Sequence, residues 1–291
     1  MTVLLDIAIV AVATLFVASV LLTGYSRAKQ ERRRTARLQA FEREVGARVI
    51  SMIHRQEAIS FMGLPLSRYI DVEDSEAVLR AIRKTDDDIP IAVVLHTPGG
   101  LVLAAKQIAW ALAEHPAKVT VYVPHYAMSG GTMLALTADE VVMDRNAVLG
   151  QVDPQLGGYA AASIRSAVAR KDPADVDDET LILDDMAEKA LGQVERSVTE
   201  LLEARGVGSE DARELATELT SGKYTHDYPI RAEQARELGL NVSTDVPDRI
   251  YDLMDLYSQP SGRRPSVQYV DVPYRLVRPG EDAPPPTTGA E

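Results

Sequence analysis

The sequence contains no cysteine, and this absence removes several kinds of chemistry. Disulfide bonds, catalysis by a thiolate and zinc sites built from cysteine are excluded. The histidine spacings typical of catalytic zinc sites, H-x-x-H and H-E-x-x-H, are also missing. The phosphate-binding pattern G-x-x-x-x-G-K-[ST] is missing as well, so any ATPase involved would be a separate protein. We therefore expect no metal and no other cofactor.

The chain also lacks an excess of positive charge. Its 291 residues carry a formal net charge of -12, with a pI near 5.0. A nucleic-acid-binding domain needs a basic face to contact phosphates, so we expect no nucleic-acid partner. The acidity is explained by solubility alone. With 46% hydrophobic residues, the composition is that of ordinary globular protein.

The N-terminal segment differs from the rest of the chain. Val3 to Leu22 contains a single charged residue, Asp6. Roughly 20 apolar residues are needed for a helix to cross the hydrocarbon core of a membrane. The pattern predicts a membrane-spanning helix within an anchor of residues 1–25. A cleaved signal peptide is the alternative, but the segment before the apolar run has no lysine or arginine.

A basic segment follows this apolar run. It predicts a helical stalk over residues 26–45, with positive charges at Arg27, Lys29, Arg32, Arg33, Arg34 and Arg37. The other flank has no such charges, so the positive-inside rule puts the rest of the chain in the cytoplasm. We expect a single-pass membrane protein.

The central stretch has the pattern of an α/β fold. Short runs rich in β-branched residues predict buried strands over Ile91 to Leu95, Val119 to Val123 and Val141 to Met143. Helical segments separate these runs, as in a parallel sheet with crossover helices. We assign residues 46–250 to this domain. Within it, His54 stands beside Arg55 and Glu57, a pattern that favours a structural role.

Two glycine turns follow the first two of these strands. The first contains Pro98-Gly99-Gly100, and the second contains Ser129-Gly130-Gly131. Such turns present backbone N–H groups that favour anions and oxyanions. Ser129 alone would be read as a helix N-cap. Two glycines directly after it instead suggest a close backbone approach to a substrate. Ala127 departs from the G-x-S-x-G pattern of α/β-hydrolases.

These turns resemble those of a known group of enzymes. A PGG turn followed by a serine that opens a glycine-rich helix is similar to the Clp protease proteolytic subunit and to signal peptide peptidase A. The sequences HTPGG and HYAMSGGT, with an N-terminal anchor, most resemble the serine dehydrogenase proteinases. The resemblance implies a Clp protease/crotonase-like core of repeated ββα/βαβ units, preceded by one transmembrane helix. It also implies peptide or protein substrates and a homo-oligomer.

The same resemblance assigns roles to three residues. Ser129 is the expected nucleophile, and the amides of Gly100 and Gly130 are the expected oxyanion hole. A serine also needs a base. The Clp subunit uses a histidine, but the matching region, residues 148–155, contains none, and Asp153 is its nearest titratable group. Signal peptide peptidase A uses a lysine.

We therefore predict Lys171 as the general base, in a Ser-Lys dyad. A lysine can serve only where its charged form is disfavoured by burial and by neighbouring positive charge. Lys189 and His125 are alternatives, as is His226, which Asp227 follows directly as a potential partner.

The leading hypothesis is a membrane-anchored serine peptidase. One alternative is an inactive scaffold that binds partners on the same fold; another is crotonase-type acyl-CoA chemistry.

Apolar spacing predicts a helix over residues 184–205. Residues 251–291 are predicted to form an extension with a disordered proline-rich tail.

Overall fold

The computed structural model describes residues 2–54, 59–61, 64–66 and 69–257. For residues 2–13, 27, 59–61 and 64–66 it describes the backbone alone. The predicted proline-rich tail, Arg55 and Glu57 lie outside the described residues.

The described residues form nine α-helices and twelve short strands. The helices are α1 Thr2–Val45, α2 Val72–Arg83, α3 Val102–Ala113, α4 Gly130–Ala135, α5 Ala161–Val168, α6 Asp178–Ala204, α7 Ser209–Thr220, α8 Ala232–Glu237 and α9 Asp248–Asp255. The strands are β1 Arg48–Ile53, β2 Ile59–Phe61, β3 Leu64–Leu66, β4 Ile91–His96, β5 Val119–Val123, β6 Tyr126–Ala127, β7 Glu140–Met143, β8 Val148–Leu149, β9 Gln155–Leu156, β10 Tyr159–Ala160, β11 Ile230–Arg231 and β12 Val242–Ser243.

The main sheet is parallel throughout, with the strand order β1-β4-β5-β7-β12. Every residue of β4 is buried. Its odd-numbered residues Ile91, Val93 and Leu95 join one core, whereas Ala92 and Val94 join a second. This two-residue alternation is expected of a strand covered on both faces. The predicted α/β fold with buried parallel strands is confirmed.

The two cores lie on opposite faces of the sheet. The larger contains residues of α3, α6 and α7, such as Ile108, Val198 and Leu219. The smaller contains Phe41 of α1 and Leu253 of α9. The stalk helix is therefore part of the folded domain at its C-terminal end. Helix α9 also continues across residue 250, where the sequence suggested a boundary.

Helix α1 joins the predicted anchor to the basic stalk without a break. The membrane-spanning helix predicted over Val3 to Leu22 is not confirmed. Within the described part of the chain, no helix combines the length and apolar character needed to cross a membrane. The first part of the predicted span falls on residues 2–13, whose side chains are not described.

A second sheet of three short strands has the order β11-β8-β6. Strand β6 runs parallel to β8, and β11 runs antiparallel to it. The chain leaves β6 and β8 at one end of this sheet and enters β11 at that same end. Residues that follow β6, follow β8 and precede β11 are therefore neighbours in space, although they are far apart in sequence.

Candidate active site

Ser129 has a strained backbone conformation. Its φ is 51° and its ψ is -115°, and it is the only residue other than glycine with positive φ among the described residues. Such a conformation costs about 1–3 kcal/mol and is found preferentially at functional sites. The strain arises where β6 ends and α4 begins, so Ser129 stands on a sharp strand-to-helix turn.

The side chain of Ser129 is available for chemistry. Ser129 precedes α4 in the N-cap position, yet its side chain makes no capping hydrogen bond. Its hydroxyl makes no hydrogen bond to any other residue that the structure describes. The alternative interpretation of Ser129 as a helix cap is therefore wrong, and its partly exposed hydroxyl remains open to a ligand.

The turn at Gly99 and Gly100 packs directly against Ser129. Gly99 has a φ of 104°, which favours glycine. A Cβ atom on Gly99 would lie 2.8 Å from the Cβ of Ser129. A Cβ atom on Gly100 would lie 2.2 Å from the carbonyl oxygen of Ile70. Both positions therefore require glycine for steric reasons.

The structure brings the amides of Gly100 and Gly130 together beside Ser129. A Cβ atom on Gly130 would lie 3.7 Å from the Gly100 nitrogen. Neither amide donates a hydrogen bond to a described residue. Gly130 is buried and Gly100 is exposed, so this pair of unpaired donors can be reached by an acceptor from outside the protein. Two converging N–H groups suit an oxyanion.

Pairing in the small sheet also places an acid and a histidine at this end. Leu149 of β8 pairs with Ile230 of β11. Asp153 follows Leu149 by the same number of residues as His226 precedes Ile230. The antiparallel register therefore puts Asp153 and His226 opposite each other. On the other side, Met128 contacts Gly150. The segment that carries Asp153 is thus flanked by the Ser129 turn and the His226 turn.

Asp153 and His226 form a close pair. The His226 Nδ1 atom lies 2.7 Å from Asp153 Oδ1, and Gln155 Nε2 donates to Asp153 Oδ2 at 2.7 Å. The Asp153 side chain is fully buried, whereas that of His226 is 35% exposed. The hydrogen bond to the Asp153 carboxylate raises the pKa of His226, although burial opposes this. The paired acid favours the protonated imidazole.

Ser129 and Asp153 line the same pocket, together with Gly100 and Gly130. Its remaining walls are apolar: Val102, Ala105, Met133, Val152, Pro154 and Val194. Ser129, the two glycines and Asp153 thus line one small, otherwise apolar space. This combination fits nucleophilic attack on a carbonyl group.

The sequence also matches a family model over residues 1–283, described as ClpP-like SDH-type serine proteinase. The chain belongs to this family. The resemblance to serine dehydrogenase proteinases inferred from the two turns is confirmed, and the chain is assigned to a class of serine peptidases.

Relatives of this SDH-type proteinase occur in Methanocaldococcus jannaschii. One uncharacterized protein is 56% identical over 237 residues, covering 81% of this chain and 80% of the relative. A second is 56% identical over 227 residues, covering 78% and 79%.

Two solved structures are similar to this chain. The membrane-bound stomatin-specific protease 1510-N, in complex with a substrate peptide, is 21% identical, with a TM-score of 0.43 and coverage of 63% of this chain and 74% of that chain. ClpP1 from Listeria monocytogenes is 15% identical, with a TM-score of 0.44 and coverage of 72% and 99%.

Three of the predicted bases are found at the surface of the protein. Lys171 lies just after α5 and is exposed, outside the residues that line the Ser129 pocket. Lys189 is also exposed and forms an ion pair with Asp185 in the preceding helical turn. His125 is exposed and stacks on His96, with ring centroids 5.6 Å apart. None of these residues lines the pocket. His226 does not line it either, but it is bonded to Asp153, which does.

The partnership between Asp153 and His226 was missed from the sequence. His226 was considered with its neighbour Asp227, but the structure joins it to Asp153 instead. One signal was present: Asp153 lies in the region where the Clp subunit carries its histidine. The pairing of β8 with β11 was the missing observation, because two-residue strands leave almost no pattern in a sequence.

The glycine requirement at the first turn gives a direct test. We expect Gly100→Ala to lower the free energy of unfolding by about 1–3 kcal/mol, because its methyl group would collide with the backbone of Ile70. Gly192→Ala is the matched control. A Cβ atom there meets nothing within 4 Å in the middle of α6, so we expect stabilisation by about 0.4–1 kcal/mol. Denaturant unfolding of both variants checks this, and equal effects would contradict it.

Proposed function

We propose that this protein hydrolyses peptide bonds with Ser129 as the nucleophile. The observation that carries the proposal is the strained Ser129, with an uncommitted hydroxyl, beside the two uncommitted amides of Gly100 and Gly130. Family membership supplies the reaction class. Asp153 lines the same pocket as Ser129, and the histidine paired with it, His226, would supply the acid-base group.

We assign the role of general base to His226, with Asp153 as the residue that orients it. Nδ1 of His226 faces the carboxylate, so Nε2 is the atom that would take the serine proton. This division of roles is that of a serine-histidine-aspartate triad. No hydrogen bond joins Ser129 to His226 in the free protein, so Nε2 must approach the hydroxyl when substrate binds. Such tightening on binding is common.

In the first half of the reaction, the Ser129 oxygen forms a bond to the peptide carbonyl carbon while its proton moves to His226. The carbonyl oxygen becomes negatively charged and accepts hydrogen bonds from the Gly100 and Gly130 amides. The C–N bond then breaks, and His226 gives its proton to the leaving amine. Water hydrolyses the resulting ester by the same steps, which returns the free serine.

His226 is preferred to Lys171 because of where each side chain lies. A lysine acts as a base only where burial disfavours its charged form, and Lys171 is exposed. His226 is half-buried, already paired with a carboxylate, and held in a turn closed by the Tyr228 amide donating to Thr225. The role predicted for Lys171 remains open to the mutational comparison below.

Replacing the nucleophile tests the core of this proposal. We expect wild-type protein to react with a fluorophosphonate probe and Ser129→Ala to fold normally without labelling. Ser197→Ala is the matched control, since Ser197 is a buried serine of α6 whose hydroxyl bonds the Gln193 carbonyl. Labelling is read by gel fluorescence, and folding by circular dichroism. Undiminished labelling of Ser129→Ala would refute the proposal.

The base is identified by its pH dependence. Because His226 must be neutral to accept a proton and Asp153 raises its pKa, we expect kcat/KM to increase with pH with a midpoint above the ordinary value of 6.5. His226→Ala should reduce kcat by roughly 10²- to 10⁴-fold, and Asp153→Asn should move the midpoint downward.

Lys171→Ala and Lys189→Ala serve as controls in the same assay, because both side chains are exposed. We expect both to keep the wild-type rate and midpoint. Loss of activity in Lys171→Ala, with His226→Ala active, would restore the Ser-Lys dyad and exclude His226.

We also propose that α1 attaches the protein to a membrane. The side chains of Leu15, Phe16, Leu21 and Leu22 are 67–70% exposed along α1, and covering them would be favourable. Basic residues follow this apolar segment along the same helix. Together these features suit a lipid surface with anionic headgroups.

Liposome flotation tests the attachment. We expect the full chain to float with vesicles and a variant lacking residues 2–25 to remain in the soluble fraction. A variant with Arg32 and Arg33 replaced by glutamine measures how much the positive charges contribute to binding. We expect this variant to bind anionic vesicles more weakly than the full chain does. Equal recovery of the full chain and the truncated variant with vesicles would contradict the proposal.

A further inference from the structure

Thr97 connects the first glycine turn to a buried histidine. It is fully buried and lies two residues before Gly99. Its hydroxyl oxygen accepts a hydrogen bond from the Gly99 amide at 3.2 Å and lies 2.9 Å from Nδ1 of His54. The Gly99 carbonyl oxygen is 3.3 Å away. One hydroxyl therefore touches both polar groups of Gly99.

His54 is in turn tied to the start of α2. It is 6% exposed, and its Nε2 lies 3.1 Å from Asp74 Oδ2. The same carboxylate oxygen accepts the Asp71 amide at 3.0 Å, as part of the capping box of α2. A continuous set of hydrogen bonds thus runs from Asp74 through His54 and Thr97 to Gly99.

The positions of the protons in this set of hydrogen bonds can be assigned by starting from Asp74 and from Gly99. An ionised carboxylate only accepts hydrogen bonds, so Nε2 of His54 must carry the proton that faces Asp74. With a single ring proton Nδ1 is an acceptor, and the Thr97 hydroxyl donates to it at 2.9 Å in preference to the Gly99 carbonyl at 3.3 Å. The Thr97 oxygen remains free to accept from the Gly99 amide. The polar side-chain atoms of His54 and Thr97 all have partners in this arrangement.

Fixing Gly99 also fixes the direction of the Gly100 N–H. The carbonyl of Gly99 and the N–H of Gly100 belong to one planar trans peptide, so they point in opposite directions. The Ile70 amide donates to the Gly99 carbonyl at 2.7 Å, and the Thr97 hydroxyl holds the adjoining amide. The Gly100 N–H is consequently directed away from Ile70.

We propose that Asp74, His54 and Thr97 are positioning residues that hold the Gly99–Gly100 peptide with its N–H aimed at the oxyanion of the reaction. The inference rests on the proposed peptidase function and assigns a task to residues that contact no substrate. Their contribution would be realised in the transition state, where charge develops on the carbonyl oxygen.

Thr97→Val tests the proposal, since it keeps the shape of the side chain and removes the hydroxyl. We expect kcat to fall by at least about tenfold, with roughly 10²- to 10³-fold as the upper bound set by losing one oxyanion donor outright. KM should change little. The affinity for a peptide aldehyde that mimics the tetrahedral intermediate should fall together with kcat. Thr97→Ser, which restores the hydroxyl, should recover most of the rate.

A matched control separates positioning from loss of stability. Thr137→Val removes another fully buried hydroxyl, one that donates to the Leu134 carbonyl at 2.7 Å. We expect it to lower the free energy of unfolding to a similar extent while kcat stays at the wild-type value. His54→Leu should lower kcat, and its effect should be less than additive with Thr97→Val, because both act through the same hydrogen bonds.

Amide hydrogen exchange gives a readout that needs no activity. Thr97→Val should speed exchange at Gly99, whose amide loses its acceptor, whereas Thr97→Ser and Thr137→Val should not. Unchanged exchange at Gly99 would overturn the positioning role proposed for Asp74, His54 and Thr97. So would a kcat for Thr97→Val equal to that of Thr137→Val. If wild-type protein has no activity that depends on Ser129, the proposed function fails. The exchange measurement alone then tests whether Thr97 holds the Gly99 amide.

Discussion

The backbone of Gly100 lies so close to that of Ile70 that a single methyl group would collide with it. This contact and the close approach of Gly99 to Ser129 determine where the glycine turn lies relative to the Ser129 turn. Side chains at these positions would force the turns apart, and the two free amides would no longer converge. The glycines therefore serve less as flexible links than as spacers of minimal size between rigid segments.

Around this contact, the electrostatics are arranged by burial. The side chain of Asp153 is fully buried. Burying a carboxylate without partners would cost several kcal/mol of stability, as it does for any ion removed from water. His226 and Gln155 supply the partners, one for each oxygen. The same contact raises the pKa of His226 and directs Nδ1 toward the acid. The hydrogen bond that satisfies the carboxylate thus also orients the imidazole, and no further residue is needed to orient it.

Much of this could be predicted from local patterns. The strands Ile91–His96 and Val119–Val123 and the turns that follow them carry strong signals, because apolar runs and glycine pairs act over short distances. The partner of His226 could not be predicted, since it depends on strands of two residues that pair across a long separation. The exposure of Lys171 depends on where α5 ends, which the sequence leaves undetermined to within a few residues.

Thr97 links the nucleophile to the oxyanion site through separate atoms of one residue. Its carbonyl accepts the Met128 amide at 3.0 Å, and its amide donates to Tyr126 at 3.2 Å, which ties it to the Ser129 turn. Its hydroxyl accepts the Gly99 amide, which ties it to the glycine turn. Because the first set of bonds is made by the backbone, removing the hydroxyl should free the Gly99 amide and leave the strained Ser129 in place. A threonine at this position thus lets the two halves of the proposed site be held by independent bonds.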